Sequence, residues 1–70
     1  MNSQTIFDLL LDGAYLNVSE NKFYHHSFRK GWRKMSISDI SFSAAQKKLV
    51  KINRLDLLQT DNGLVIRATV

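Results

Sequence analysis

The sequence predicts an α+β fold with antiparallel strand pairing, and three observations carry that expectation. Between Ser41 and Arg54 the apolar residues Phe42, Ala45, Leu49 and Ile52 recur at steps of three, four and three, the spacing that lines up one face of a helix. From Ala14 to Phe28 the period changes to two, the signature of strands. Near the C-terminus Asp61-Asn62-Gly63 separates two apolar runs, a strong short-range hairpin signal.

Ser3 is the expected N-cap of a first short helix running through Asp12. Ile6, Leu9 and Leu10 share one of its faces, widened by Phe7 and Leu11, and Gly13 supplies the left-handed C-cap position. Ala14, Leu16 and Val18 then alternate with Tyr15 and Asn17 up to a turn at Ser19-Glu20-Asn21. Lys22 to Phe28 fits a second strand, with Phe23, His25 and Ser27 on one side and Tyr24, His26 and Phe28 on the other. Arg29-Lys30-Gly31 closes a second turn into Trp32 to Ile37, which reads as a third strand with Met35 and Ile37 toward the core and Lys34 toward solvent.

Ser36, Ser38 and Ser41 are all capping residues for the second helix, and Asn53 is its stop signal. Leu55 to Gln59 and Leu64 to Val70 form the terminal hairpin. The order is helix, two or three strands, amphipathic basic helix, two strands, in one small domain over residues 1–70. A first helix, a basic helix and a hairpin tip at Asn62-Gly63 resemble the winged-helix arrangement. The strands between the two helices and the acid Asp61 at the tip depart from it.

At 70 residues the chain buries only about 60% of its unfolded surface, so a homodimer contact would add stability. Apolar residues make up 44% and charged residues 23%, a globular balance. The absence of cysteine excludes disulfides and thiolate metal sites. With no apolar run near the ~20 residues of a membrane span and no export signal, the expectation is a soluble, unprocessed, cytoplasmic protein without membrane contact.

The net charge of +4 is unevenly distributed. Lys22 to Arg54 holds nine Lys or Arg against the single Asp39, whereas outside it Arg67 stands against Asp8, Asp12, Glu20, Asp56 and Asp61. Such polarity suits a polyanionic partner, provided the fold gathers the cations onto one surface. Two groups qualify. Lys47, Lys48, Lys51 and Arg54 form a row on the second helix, and Arg29, Lys30, Arg33 and Lys34 surround Gly31 with Trp32 among them. The alternative for the helix row is ordinary solubilising charge, and for the hairpin a polar tip whose Trp packs inward.

Adjacent residues on a strand point to opposite faces, so His25 and His26 have the wrong geometry to share a metal ion, and one packed and one solvated histidine is the expectation. A histidine acting as acid or base beside Lys22, Tyr24 or Arg33 would be ribonuclease-like chemistry, but no catalytic or cofactor motif accompanies it. Six aromatics, Phe7, Tyr15, Phe23, Tyr24, Phe28 and Trp32, are core candidates. Two short helices cannot cover both faces of a sheet, however, so some aromatics are left to stack on bases or grip a partner.

The sequence therefore points to a non-enzymatic protein without cofactor or metal. It is expected to bind DNA or RNA phosphates through Lys47, Lys48, Lys51 and Arg54 with Arg29, Lys30, Arg33 and Lys34. The alternative is a stoichiometric inhibitor or adaptor of the kind phages and mobile elements carry. It would occlude a host nucleic-acid-processing protein with Trp32, Tyr24 and Arg33 as interface anchors.

Overall fold

Asn2 starts the first helix. Its side-chain oxygen accepts the Thr5 N–H at 2.8 Å, and α1 runs over Ser3–Leu11. The cap thus falls one residue before the expected Ser3, an equivalent acceptor for the orphan N–H groups of the first turn. The computed structural model of the chain describes residues 2–28, 32–34 and 39–69, with the backbone alone at 32–34 and at Asp39.

Both helices end the same way. After α1 the Ala14 N–H reaches Leu9 O at 2.9 Å and the Gly13 N–H reaches Leu10 O at 3.2 Å, with Gly13 at φ +95°. After α2 (Asp39–Lys51) the Arg54 N–H bonds Leu49 O at 2.9 Å and the Asn53 N–H bonds Val50 O at 3.0 Å, with Asn53 at φ +57°. This is the Schellman closure, and asparagine takes the left-handed position that glycine takes in α1. Helix α2 therefore stops before Arg54, and Ile52, expected on the buried face, is 46% exposed.

Five strands follow chain order as β1 (Tyr15–Asn17), β2 (Lys22–Tyr24), β3 (Trp32–Lys34), β4 (Leu55–Thr60) and β5 (Gly63–Ala68). They form one sheet in the order β3-β2-β1-β5-β4, and every neighbouring pair is antiparallel. The α+β class, the N-terminal helix and the C-terminal hairpin agree with the sequence reading. The hairpin is not a projecting wing, because β5 pairs with β1 and so is built into the middle of the sheet.

Strand β2 is shorter than the aromatic run suggested. It ends at Tyr24, and the Phe28 N–H turns back to His25 O at 3.1 Å. The bend lets the Phe28 ring meet Phe23, with centroids 6.2 Å apart, and so adds a second aromatic to the core side. Apolar packing overrides strand propensity here. The expected turn at Arg29-Lys30-Gly31, the caps Ser36 and Ser38, and the core positions Met35 and Ile37 lie outside the described residues.

The core lies between the helices and one face of the sheet. Ile6, Leu10, Ala14, Phe42, Ala45 and Leu49 from the helical layer meet Phe23 and Ile66, with Leu16, Leu55 and Ala68 partly buried against them. Helix α2 links the two edge strands. Its 13 residues span about 20 Å, which matches the roughly 19 Å across a five-stranded sheet. It packs along α1 and reaches β4 at its far end. Among the described residues, no helix is long and apolar enough to cross a membrane.

Candidate functional site

Both helices cover one face, and among the described residues no element lies over the other face of the sheet. Alternation assigns the residues: Leu16, Phe23 and Ile66 face the helices, so Tyr15, Asn17, Tyr24, Val65 and Arg67 face away. Backbone register then builds a row across all five strands: Trp32 pairs with Tyr24, Tyr24 with Tyr15, Tyr15 with Arg67, and Arg67 with Asp56. A second row carries Lys34, Lys22, Asn17, Val65 and Leu58.

Within the first row the Tyr15 and Tyr24 rings stack almost parallel, with centroids 4.8 Å apart and planes 10° apart. Tyr24 Oη–H donates to Glu20 Oε1 at 2.8 Å. That carboxylate holds the phenol in its protonated form and raises its pKa above the ordinary value. On the other side Arg67 Nε–H donates to Asp56 Oδ2 at 2.8 Å, and the arginine side chain remains 45% exposed.

Tyr15, Glu20, Tyr24 and Arg67 line a cleft of about 330 Å³ together with Asn17, Leu58, Thr60, Asn62 and Val65. Its floor is firm because Asn17, only 3% exposed, ties the two hairpin turns together. Asn17 Nδ2–H donates to Asn62 O at 3.1 Å, and Asn17 Oδ1 accepts the Glu20 N–H at 2.9 Å. The cleft has an aromatic wall, an arginine at one side and an apolar base at Val65 and Leu58. It offers stacking, a cation and van der Waals contact.

Among the described residues, the cations that the sequence placed in the helix row do not share one surface. Lys47 and Lys51 are exposed on α2, in the layer opposite the open face. Lys48 is half-buried, its Nζ donating to Gln4 Oε1 at 2.8 Å and lying 5.6 Å from the Phe7 ring centre, so it fastens α2 to α1. Arg54 is beyond the helix. Its Nε and Nη2 donate to Thr69 O at 3.1 and 2.8 Å, closing the open end of the terminal hairpin. Arg33 and Lys34 lie in β3, at the sheet edge opposite Phe23 and Lys22, while Arg29 and Lys30 fall outside the described residues. Among the described residues the α2 cations are thus separated from β3, and only β3 adjoins the strand of the aromatic pair.

A second cluster was not anticipated. The strand ends before His25, so His25 and His26 do not diverge. Their ring centroids are 4.2 Å apart and both Nε2 atoms approach Asp12 Oδ2, at 2.9 and 3.2 Å. The Ser27 N–H donates to His25 Nδ1 at 3.1 Å, which leaves Nε2–H of the neutral ring to donate to Asp12. This hydrogen bond is the main reason the Asp12 carboxyl lies below its ordinary pKa, with a smaller contribution from His26.

Arg67 and Asn17 were also missed as site residues. The alternation of Leu64, Ile66 and Ala68 against Val65 and Arg67 carried the signal, but using it required knowing that β5 joins β1. No protein-family model, no curated protein and no solved structure matches the chain.

Proposed function

We propose that this chain is a small non-enzymatic protein that binds single-stranded DNA or RNA on the open face of its sheet. The supporting observation is the parallel Tyr15–Tyr24 stack beside the cleft, in register with Trp32 on one side and Arg67 on the other. Bases stack on aromatic side chains whatever their identity, each contributing about 1–3 kcal/mol, and exposed sheet faces are a common platform for this. Lys22 and Arg67 on the face, with Lys34 in the same register row as Lys22, are the cations suited to the phosphates, whereas Arg33 pairs with the helix-facing Phe23. The α2 cations lie on the opposite layer, and Ile40 and Val50 are exposed on the same helix, which suits a phosphate backbone poorly.

The test is a titration of the protein into a labelled single strand and the duplex of the same sequence, at about 50 mM and about 200 mM salt. The expected result is tighter binding of the single strand, loss of affinity at the higher salt, and quenching of intrinsic fluorescence. No binding at the lower salt defeats the reading.

One observation favours a second reading, a stoichiometric protein inhibitor or adaptor. Val50, Ile52 and Leu57 are all at least 46% exposed where α2 turns into the edge strand β4. Large apolar side chains gathered at a free sheet edge suit a protein partner. Binding that is insensitive to salt and stoichiometric with a protein, in the absence of nucleic-acid binding, favours this reading.

A further inference from the structure

We propose that Asp12, His25 and His26 form a binding site for a divalent transition-metal ion of the zinc type. One donor atom from each residue lies within 4.8 Å of the other two. The Asp12 Oδ2 distances of 2.9 and 3.2 Å to the two Nε2 atoms are close to the edges of a coordination shell. With metal–ligand bonds of about 2.0–2.1 Å a tetrahedral edge is about 3.3 Å, and because donor separations in the cluster reach 4.8 Å the exposed His26 ring must swing inward by about 1.5 Å to admit the ion.

Two of the ligands are already held in place. Asp12 is the last residue before the glycine that closes α1, its backbone fixed by N–H bonds to Asp8 O and Leu9 O. His25 is 5% exposed, so its ring has little freedom. Ser27 Oγ lies against His25 Nδ1. When a metal takes Nε2, the ring proton moves to Nδ1, the Ser27 N–H gives up that acceptor, and Nδ1–H donates instead to Ser27 Oγ, the outer partner that fixes a ligating imidazole. His26 is the adjustable member, with its side chain 74% exposed. A packing role explains His25 but gives no account of an exposed His26 ring drawn onto the same carboxylate oxygen.

The donor set selects the ion. Two neutral imidazoles with one carboxylate suit Zn²⁺, Co²⁺, Ni²⁺ or Cu²⁺, whereas Ca²⁺ and Mg²⁺ require shells of oxygen. The carboxylate offsets part of the ionic charge. The exposed side of Asp12 and His26 leaves at least one position for water, as in sites with three protein ligands.

The experiment uses the untagged full chain, titrated with ZnCl₂ or CoCl₂, and reads the melting temperature and the visible Co²⁺ spectrum. At about ten times the dissociation constant, Zn²⁺ should raise Tm by about 5 °C or more, and Co²⁺ should give d–d bands of low-symmetry coordination. Calcium should do neither. His26→Ala removes an exposed side chain, and Asp12→Asn keeps an oxygen facing His25, so both variants should fold. Each should bind Zn²⁺ at least tenfold more weakly. The proposal is overturned if about 1 mM Zn²⁺ leaves wild-type Tm and the Co²⁺ spectrum unchanged, or if both variants bind like wild type.

Discussion

Tyr15 and Tyr24 stand directly opposite each other on β1 and β2, and their rings stack on the side of the sheet away from α1 and α2. Cross-strand aromatic pairs stabilise a sheet by a few tenths of a kcal/mol to about 1 kcal/mol. That is a structural role, but it does not require the outward face. Aromatics are most effective for folding in the core, where Phe23 is fully buried on the same strand as Tyr24.

Replacing Tyr24 separates its two chemistries. Tyr24→Phe loses the hydrogen bond to Glu20 and keeps the ring, whereas Tyr24→Leu loses both. If bases stack on this pair, Phe should bind a single strand within about twofold of wild type. Leu should bind about five- to a hundredfold more weakly, the equivalent of one stacked base. Equal affinities for wild type and Tyr24→Leu, with the fold checked by circular dichroism, would remove the tyrosines from the binding surface.

The separation of the basic groups gives opposite expectations for residues once grouped as one row. Lys47→Ala with Lys51→Ala removes two exposed cations from the helical layer. At physiological salt, where screening acts over about 8 Å, single-strand affinity should change by less than about threefold. A fall of tenfold or more, with the salt slope flattened by about two phosphates, would move the interface onto α2. Arg54→Ala should act on stability instead. It frees Thr69 O from two guanidinium bonds at the hairpin's open end, and denaturation should register a loss of about 1 kcal/mol without a matching loss of affinity.

Gly63 is constrained twice. Its φ of +114° disfavours any L side chain, and a Cβ there would lie 2.7 Å from Ser19 Cβ, because the two hairpin turns touch. Gly63→Ala should lower stability by about 2–4 kcal/mol. Adding Ser19→Gly removes the collision and leaves the backbone strain, so the double variant should recover part of the loss but not all of it. Complete recovery would mean that φ contributes little, and no recovery would mean that the turns do not touch.

The elements visible in the sequence were those set by local chemistry. Gly13 and Asn53 mark helix ends by their own conformational freedom, and Gly63 marks the terminal hairpin in the same way. The sheet order was not local: that β5 lies against β1 depends on two segments about 50 residues apart sharing a core with α1. For the same reason the open face was legible only as a shortage of helices, and the row from Trp32 to Asp56 not at all. Arg54 was read by helical periodicity through a position where Asn53 ends the helix. His25 and His26 were assigned by strand alternation in a segment that the burial of Phe28 bends out of the sheet.

Asn17 offers the most direct test of how that face is held rigid. It is the buried polar residue of β1, and its amide satisfies the Glu20 N–H of one turn and the Asn62 carbonyl of the other. Asn17→Ala leaves both groups to partly buried surroundings, and chemical denaturation should show a loss of about 1–3 kcal/mol. Asn17→Leu restores volume without restoring either hydrogen bond. If the amide bonds are what matters, Leu should be no more stable than Ala, and hydrogen exchange at the Glu20 amide should quicken in both. If Leu instead regains wild-type stability, the position is held by packing alone. The cleft would then need some other support to keep Tyr15, Tyr24 and Arg67 in one arrangement.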